Sequence, residues 1–260
     1  EVYKIDNQYL IDEQVKENER DIAYRLAVHY SLQGDVDILF AGPYIDFSKP
    51  NSPNYNDSFS SFLNQNKIEL LDYNAFEIVN KNYINIVGKS DTHFNVEDGL
   101  SFKFSSKNKD RLLIDIIRSI KEIKDNAIIY CPLIRQVVSY SKKIINSQLL
   151  VNHNTSQYAE FIEHVTRRFD VKWTLIDALK NGIGIHHGLI PKYIQKEIVS
   201  LFNNKQLSIL LSTTTITEGV NTSAKNLVVI DSMKGDKPLK KFDAKNISGR
   251  AGRFMRHYSG

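Results

Sequence analysis

The chain has 260 residues, 42% of them hydrophobic, and a formal net charge of +4, enough for a substantial core in one large or two smaller domains. Its single cysteine excludes a disulfide framework and fits a reducing intracellular compartment such as the cytoplasm. No apolar segment approaches the roughly 18 residues that a membrane-spanning helix needs, and the mild charge permits a polyanionic partner without indicating one.

The first predicted element is a short apolar run at residues 9–11 that ends in two adjacent carboxylates, Asp12 and Glu13. An acidic pair after an apolar run is common at the end of a buried strand, and by itself it would bind a metal in about one case in ten. An amphipathic stretch over residues 19–32 and a strand-like run over residues 36–40 follow.

The next two segments are predicted to be irregular. Residues 51–61 are rich in asparagine and serine and predict a surface loop, and residues 88–111 are polar without clear periodicity, as in a linker or an irregular crossing. The chain is therefore predicted to have a first domain over residues 1–87, this connection, and a second domain over residues 112–260.

Strand and helix patterns alternate in the second half of the chain. An apolar strand is predicted at residues 126–132, helices at 136–150 and 154–180, and a further helix at 192–202 behind the segment His-His-Gly-Leu-Ile-Pro of residues 186–191. This alternation predicts an α/β fold with a mostly parallel sheet covered by helices on both faces.

The end of the chain combines a polar loop with a pair of arginines. Residues 212–221 place several hydroxyls, a glycine and an amide between the apolar runs 207–211 and 227–231, which is typical of an anion-holding loop at the end of a buried strand. Residues 247–253 read Ile-Ser-Gly-Arg-Ala-Gly-Arg, and arginines separated by small residues suggest arginine fingers. Alone, this last segment would indicate only a basic helix start.

In this order, the elements resemble the motifs of superfamily 2 helicases. Residues 212–221 resemble motif V, and residues 246–253 resemble motif VI. Residues 126–132 resemble motif IV, and residues 9–13 resemble motif II. Residues 184–191 are similar to the His-His-Gly-Leu-Pro signature of the DExH branch, which includes superkiller-type RNA helicases and related DNA repair helicases. The resemblance implies RecA-like parallel sheets, with part of a first domain and a complete or near-complete second domain.

The resemblance also implies that ATP and Mg²⁺ bind between two RecA-like domains. Asp12 would hold Mg²⁺ and Glu13 would activate the attacking water, while Arg250 and Arg253 would reach the transferring phosphoryl group. Other implied ATP-binding residues are Glu218, Gly219, Asn246 and Gly249.

Three residues are implied to touch the backbone of single-stranded DNA or RNA: Thr213, Thr215 and Asn221. Their hydroxyls and amide need no particular base, so the motifs do not distinguish RNA from DNA. In isolation the two threonines would be ordinary turn residues that cap their own backbone. The implied function is an ATP-dependent helicase or translocase that steps along one strand.

Some positions depart from the family pattern. Gln14 and Val15 replace an Ala-His or Ile-His pair, residues 41–43 read Ala-Gly-Pro in place of Ser-Ala-Thr, and Asn246 replaces a glutamine. These departures favour the alternative of a catalytically degenerate scaffold or nucleic-acid clamp. The sequence contains no Gly-x-x-x-x-Gly-Lys-Ser/Thr phosphate loop. We therefore expect a piece of a larger motor whose phosphate loop lies upstream, inactive by itself.

Other chemistry-bearing residues have simpler explanations. His186 and His187 are adjacent, so a strand would direct them to opposite faces, and a core or hydrogen-bonded role is predicted rather than a shared metal. Cys131 has no nearby zinc ligands and is predicted to pack in the core. Gly182 and Gly184 make too weak a pattern for a dinucleotide fingerprint.

Overall fold

The computed structural model divides the chain into two compact units, Glu1–Glu77 and Ile78–Gly260. The domain boundaries predicted near residues 87 and 111 stay a prediction. The structure describes residues 19–40, 57–69, 71, 84, 93–95, 101–103, 108–150, 153–217, 221–234, 237–239 and 241–251.

Two helices are described in the first unit, α1 (Glu19–Gln33) and α2 (Asp57–Gln65). Helix α1 coincides with the predicted amphipathic stretch. Helix α2 begins inside the loop predicted at residues 51–61, so that prediction was wrong from Asp57 onward. Its Phe59, Phe62 and Leu63 recur at the spacing of one helical face, which the serines and asparagines of the segment obscure.

The strand predicted at residues 36–40 is not formed. Residues 37–40 have no regular structure, and Val36 and Leu39 are exposed. A strand requires a neighbour for its backbone hydrogen bonds, and no described residue of the first unit forms one beside this segment. Apolar composition alone was therefore an insufficient signal.

The second unit alternates strands and helices as predicted. Its elements are β1 (His93–Asn95), β2 (Ser101–Lys103), α3 (Lys109–Glu122), β3 (Ala127–Tyr130), α4 (Ile134–Asn146), α5 (Ala159–Arg168), α6 (Thr174–Lys180), β4 (Ile183–His186), α7 (Lys192–Asn203), β5 (Ile209–Ser212), β6 (Asn226–Val229), β7 (Met233–Lys234), β8 (Lys237–Pro238) and α8 (Lys241–Ser248). Two 3₁₀ helices, Ser156–Tyr158 and Thr214–Thr217, lie between them. The pairs β1–β2 and β7–β8 are antiparallel. Strands β1 and β2 lie within residues 88–111, so the segment predicted to be irregular also contains regular structure.

The main sheet is parallel, with the strand order β4, β5, β3, β6. The connection from β3 to β4 passes over β5, and the connection from β4 to β5 returns in the opposite direction. Because such crossovers are right-handed, the helices between β3 and β4 lie on one face and α7 lies on the other. This architecture confirms the predicted α/β fold.

Burial explains why these segments become strands and helices. Every residue of β3, β4 and β5 is buried, which matches their largely apolar sequence; His186 and Ser212, at the ends of β4 and β5, are the polar exceptions. Helix α7 buries Ile194, Ile198 and Phe202 at helical spacing. It lies close to the sheet because Gly184 carries no side chain: a Cβ there would lie 2.7 Å from Cγ2 of Ile198.

The helix predicted over residues 154–180 is divided into a 3₁₀ turn, α5 and α6. The break between α5 and α6 is a local turn, in which Asp170 Oδ1 accepts a hydrogen bond from the Lys172 backbone N–H (2.8 Å) and the Asp170 carbonyl accepts one from Trp173 N–H (2.9 Å). No helix among the described residues is both long and apolar enough to cross a membrane.

Candidate functional site

The candidate site lies where β4 and β5 end. His186 and Ser212 are register partners at the last positions of these neighbouring strands. The chain beyond β5 turns at once into a 3₁₀ helix, and we call residues 213–217 the threonine loop. We call residues 186–191, at and after the end of β4, the histidine turn. Because both strands end at the carboxyl edge of the parallel sheet, the histidine turn and the threonine loop meet there.

Side-chain hydrogen bonds join these two segments. Nδ1 of His186 lies 3.1 Å from the Thr215 hydroxyl and 3.4 Å from the Ser212 hydroxyl. The hydroxyls of Thr213 and Thr215 are 3.2 Å apart, and the Thr213 N–H donates to the His186 carbonyl at 3.3 Å. The loop is therefore held by a connected polar network and not only by its own backbone turns.

His186 is neutral in this environment. Burial, the positive charge of Lys192 and the neighbouring His187 lower the pKa of His186 to about 4. Burial also lowers the pKa of His187, and no described residue hydrogen-bonds its buried Nδ1. Both rings are thus uncharged near neutral pH, and His186 acts as a hydrogen-bonding group, as the sequence predicted.

Gln195 of α7 fixes the turn that follows β4. Its buried Nε2 donates to the carbonyls of His187 (3.1 Å) and Ile190 (2.6 Å). The amide reaches both acceptors because α7 begins directly after the turn. Leu189 and Gly188, between the two acceptors, remain exposed.

Residues 221–224, which follow the threonine loop, are attached to residues 247–251, which we call the arginine segment. The buried hydroxyl of Thr222 donates to the backbone carbonyl of Arg250. Ala224 and Ala251 form an isolated parallel bridge. In addition, the 3₁₀ helix of the threonine loop contacts α8, and Ile216 and Ile247 of these two elements are both buried. Movement of the loop would therefore be transmitted to the backbone of Arg250.

Asn221 is exposed, on a backbone that the C-terminal end of α7 positions. The side-chain amide of Asn203 donates to the Asn221 carbonyl at 2.8 Å, and its Oδ1 accepts from the Ser223 N–H at 2.8 Å. This clamp uses both ends of one amide, so its geometry defines the path of the chain on either side of Thr222.

The structure brings several of the predicted site residues together. Thr213 and Thr215 share one network, and Arg250 is connected to the following segment through Thr222. Asn246 is half-buried on α8, and Gly249 is half-buried directly after it. The other predicted site residues lie outside the described part of the chain: Asp12, Glu13, Glu218, Gly219 and Arg253.

Sequence reasoning missed three residues that hold the backbone of these motifs. Gln195, Asn203 and Thr222 were not among the predicted site residues, although Gln195 supports the turn after β4 and the other two support the segment around Asn221. Thr222 directly follows Asn221 and could have been found from its place in the motif. The two amides have no sequence signal, because only the packing of α7 directs them to these backbone groups.

The described residues offer an anion site more clearly than a metal site. Phosphate oxygens could be bound by the guanidinium of Arg250, a half-buried residue, and could approach the backbone of Gly249, which has no side chain. No group of three His, Cys, Asp or Glu side chains that could hold a metal ion occurs among the described residues. The residue predicted to hold Mg²⁺, Asp12, lies outside them.

Comparison with known proteins finds a similarity in the part of the chain that carries this edge. Residues 141–255 match the family model described as the helicase conserved C-terminal domain. The match begins in α4 and extends beyond Arg250, so the histidine turn, the threonine loop and the arginine segment all lie within the matched region.

Three curated relatives illustrate the range of the similarity. Anti-bacteriophage protein B of Escherichia coli K12 is 39% identical over 138 residues, or 52% of this chain and 18% of that protein. The ATP-dependent DNA helicase Hel308 of Methanococcus vannielii is 26% identical over 162 residues, covering 59% of this chain and 21% of Hel308. The ATP-dependent RNA helicase mtr4 of Schizosaccharomyces pombe is 37% identical over 92 residues, covering 30% of this chain and 7% of mtr4. The matched region thus spans about a fifth of the first two relatives and 7% of mtr4.

Proposed function

We propose that this chain is part of an ATP-dependent helicase or translocase of superfamily 2, in the superkiller-like DExH branch. It would couple ATP hydrolysis to movement along single-stranded nucleic acid. The match to the helicase C-terminal domain supports this proposal, as do relatives described as ATP-dependent DNA and RNA helicases. The specific branch rests on the His-His-Gly-Leu-Ile-Pro segment of residues 186–191.

The observation that carries the proposal is the contact of the threonine loop with α8, together with the hydrogen bond from Thr222 to the Arg250 carbonyl. The hydroxyls of Thr213 and Thr215 would donate hydrogen bonds to phosphate oxygens of a single strand; Thr215 is half-buried, and Thr213 is buried and bonded to Thr215, so it would have to become accessible. Such contacts are independent of base identity, which suits a protein that must step along any sequence. Asn221 is exposed and would add an amide contact.

The arginines would serve hydrolysis. ATP with Mg²⁺ supplies the phosphoryl group that is transferred to water. The guanidiniums of Arg250 and Arg253 would neutralise charge that develops on that group, and Gly249 would let the backbone approach it. Asn246, Glu218 and Gly219 would complete the nucleotide contacts on the second domain.

The carboxylates near the start of the chain would complete the reaction centre. Asp12 would hold the metal, and Glu13 would orient and deprotonate the attacking water. A phosphate-binding loop of the Gly-x-x-x-x-Gly-Lys-Ser/Thr type would come from another segment of the same protein. Binding and hydrolysis would then require closure of a cleft between two domains.

Coupling between the strand and the nucleotide would run through the described contacts. A phosphate bound at Thr213 or Thr215 biases the threonine loop, and Thr222 connects the following segment to the Arg250 carbonyl. The contact between the 3₁₀ helix and α8 would add a second connection. Nucleic acid would therefore favour the loop position that presents Arg250 to the nucleotide.

The test is nucleic-acid-stimulated ATP turnover by the full-length protein, measured with single-stranded RNA and single-stranded DNA side by side. Arg250→Ala and Arg253→Ala are each expected to lower stimulated turnover by about a thousandfold, the usual magnitude for an arginine finger. Arg167→Ala provides the control, because Arg167 pairs with Glu163 on an exposed helix face and should leave turnover unchanged.

The outcomes separate the motor from its alternative. Undiminished turnover in both arginine variants would overturn the assignment of the fingers. A full-length protein that binds single strands but hydrolyses no ATP would instead support the degenerate scaffold or clamp that the altered residues 41–43 favour. A clear preference for RNA or DNA in the same assay would identify the natural strand.

A further inference from the structure

A second candidate binding site lies at the opposite edge of the main sheet. The structure contains a cavity of about 460 Å³, which we call the lysine pocket. Its lining residues are Lys121, Leu150, His153, Asn154, Gln157, Lys205, Gln206 and Ser208. Ser208 directly precedes β5, and its N–H donates to the carbonyl of Gly182 directly before β4 (2.9 Å). The pocket therefore lies at the amino edge, away from the threonine loop.

The lining of the lysine pocket consists largely of hydrogen-bond donors. It contains two lysines, of which Lys121 also donates to the Leu149 carbonyl, and none of the described residues that line it is acidic. Two of the three amide oxygens are already used: Oδ1 of Asn154 accepts from the Ser156 N–H (3.0 Å), and Oε1 of Gln157 accepts from Nε2 of Gln206 (2.8 Å). The amide NH₂ groups of Asn154 and Gln157 are thereby left as donors.

One wall of the pocket is built by a close contact with a glycine. Gly182 has a φ of 69°, and a Cβ at this position would lie 2.6 Å from the ring of His153. The ring approaches so closely that only glycine fits. Nε2 of His153 lies 2.8 Å from the carbonyl oxygen of Gln206, which fixes the ring over the strand ends. The wall is thus held by two independent contacts.

We propose that the lysine pocket binds a phosphate group. Two ammonium groups with amide and hydroxyl donors, and no carboxylate in the described lining, match the charge and the acceptor oxygens of a phosphate. A volume of about 460 Å³ is within the usual range for small-ligand sites. The phosphate would be free, carried by a small nucleotide, or part of a nucleic-acid backbone. The site is separate from the carboxyl edge and does not depend on the function proposed for that edge.

The experiment is an NMR titration of the 260-residue chain that follows the side-chain amide signals of Asn154 and Gln157. Three probes are added separately: inorganic phosphate, ADP and a short oligothymidylate. A saturable shift of these amide signals is expected with at least one probe. If ADP or the oligonucleotide binds more tightly than inorganic phosphate, that probe identifies the source of the phosphate group.

Two matched variants test whether the pocket itself is responsible. Lys205→Asn removes one ammonium group and suits the left-handed backbone at Lys205 (φ 59°), and we expect about tenfold weaker binding. Lys124→Asn is the control, because Lys124 is exposed, has a φ of 56° and does not line the pocket. Its affinity should stay within about twofold of the parent value.

Two results would overturn the proposal. The first is the absence of saturable shifts at Asn154 and Gln157 with all three probes. The second is an equal loss of affinity in Lys205→Asn and Lys124→Asn, since that result would indicate only general attraction of anions to a basic surface. Thermal unfolding of each variant without ligand distinguishes a lost site from a lost fold.

Discussion

The two edges of the main sheet differ in how their polar groups are used. At the carboxyl edge, His186, Thr213 and Thr215 hydrogen-bond one another. At the amino edge, the lysines and amides surround an open cavity. The first arrangement connects segments that would move together, whereas the second leaves donors for a ligand. One sheet can therefore support a coupled site and a separate binding pocket.

Acidification should destabilise the folded protein through His186 at the carboxyl edge. The pKa of His186 is about 4 in the folded protein, against about 6.5 for an unfolded histidine. The unfolded chain therefore binds more protons between these values, so the stabilisation is complete above about pH 6.5 and is lost as the pH falls toward about 4. We expect the free energy of unfolding to decrease by about 3 kcal/mol across this window, measured by urea denaturation.

Two glutamine variants identify which histidine causes this pH dependence. His186→Gln retains a hydrogen-bonding side chain without a titrating ring, so the dependence should become much shallower. His187→Gln removes the neighbouring ring, whose pKa is also lowered by burial, and measures its separate share. An unchanged slope in His186→Gln would show that another group controls acid unfolding.

Replacing the glycines near the two ends of β4 by alanine should change the free energy of unfolding differently at the two edges. Gly182→Ala at the amino edge places a Cβ against His153 in a left-handed backbone, and we expect a loss of about 2 kcal/mol in the free energy of unfolding. Gly188→Ala at the carboxyl edge meets only Cγ2 of Thr215 at 3.7 Å, so we expect a change between zero and a gain of about 1 kcal/mol.

A double variant identifies the cause of the loss at Gly182. In a His153→Ala background the steric conflict is absent, and Gly182→Ala should cost only the backbone strain of about 1 kcal/mol. Equal costs in the two backgrounds would contradict the role assigned to the His153 ring. Chemical denaturation of the four variants in parallel provides the measurement.

The smallest expected effect concerns the connection between the loop region and Arg250. Thr222→Val keeps the shape of the buried side chain but removes the donor to the Arg250 carbonyl, and we expect a loss of about 1 kcal/mol. Thr166→Val is the control: its hydroxyl donates to the Ile162 carbonyl within α5, so the change should stay within about 0.5 kcal/mol. Equal effects in the two variants would show that the connection to Arg250 adds no stability.

The sequence predicted three of the four parallel strands because these strands are apolar runs, although β6 is only partly buried. The predicted strands at residues 126–132, 207–211 and 227–231 overlap β3, β5 and β6. The strand predicted at residues 36–40 had a similar composition but did not form. Composition indicates the capacity to form a strand, whereas pairing depends on a neighbour that local sequence does not specify.

The candidate site was predictable only where its residues are close together in the sequence. Thr213 and Thr215 belong to one short motif, and Arg250 belongs to another. The lysine pocket draws Lys121, His153 and Lys205 from three distant segments, so no local pattern could indicate it. The amide of Asn203 likewise reaches the loop region only because α7 ends beside it.

The position of β3 at the interior of the sheet has a consequence for synthesis of the protein. Asn126 accepts a hydrogen bond from the Lys225 N–H, 99 residues later, and its carbonyl accepts one from the side chain of Asn226. The apolar strand that follows Asn126 must therefore leave the ribosome long before either lateral neighbour exists. During that interval it is a segment that chaperones would recognise, and slow translation downstream would prolong its exposure to aggregation.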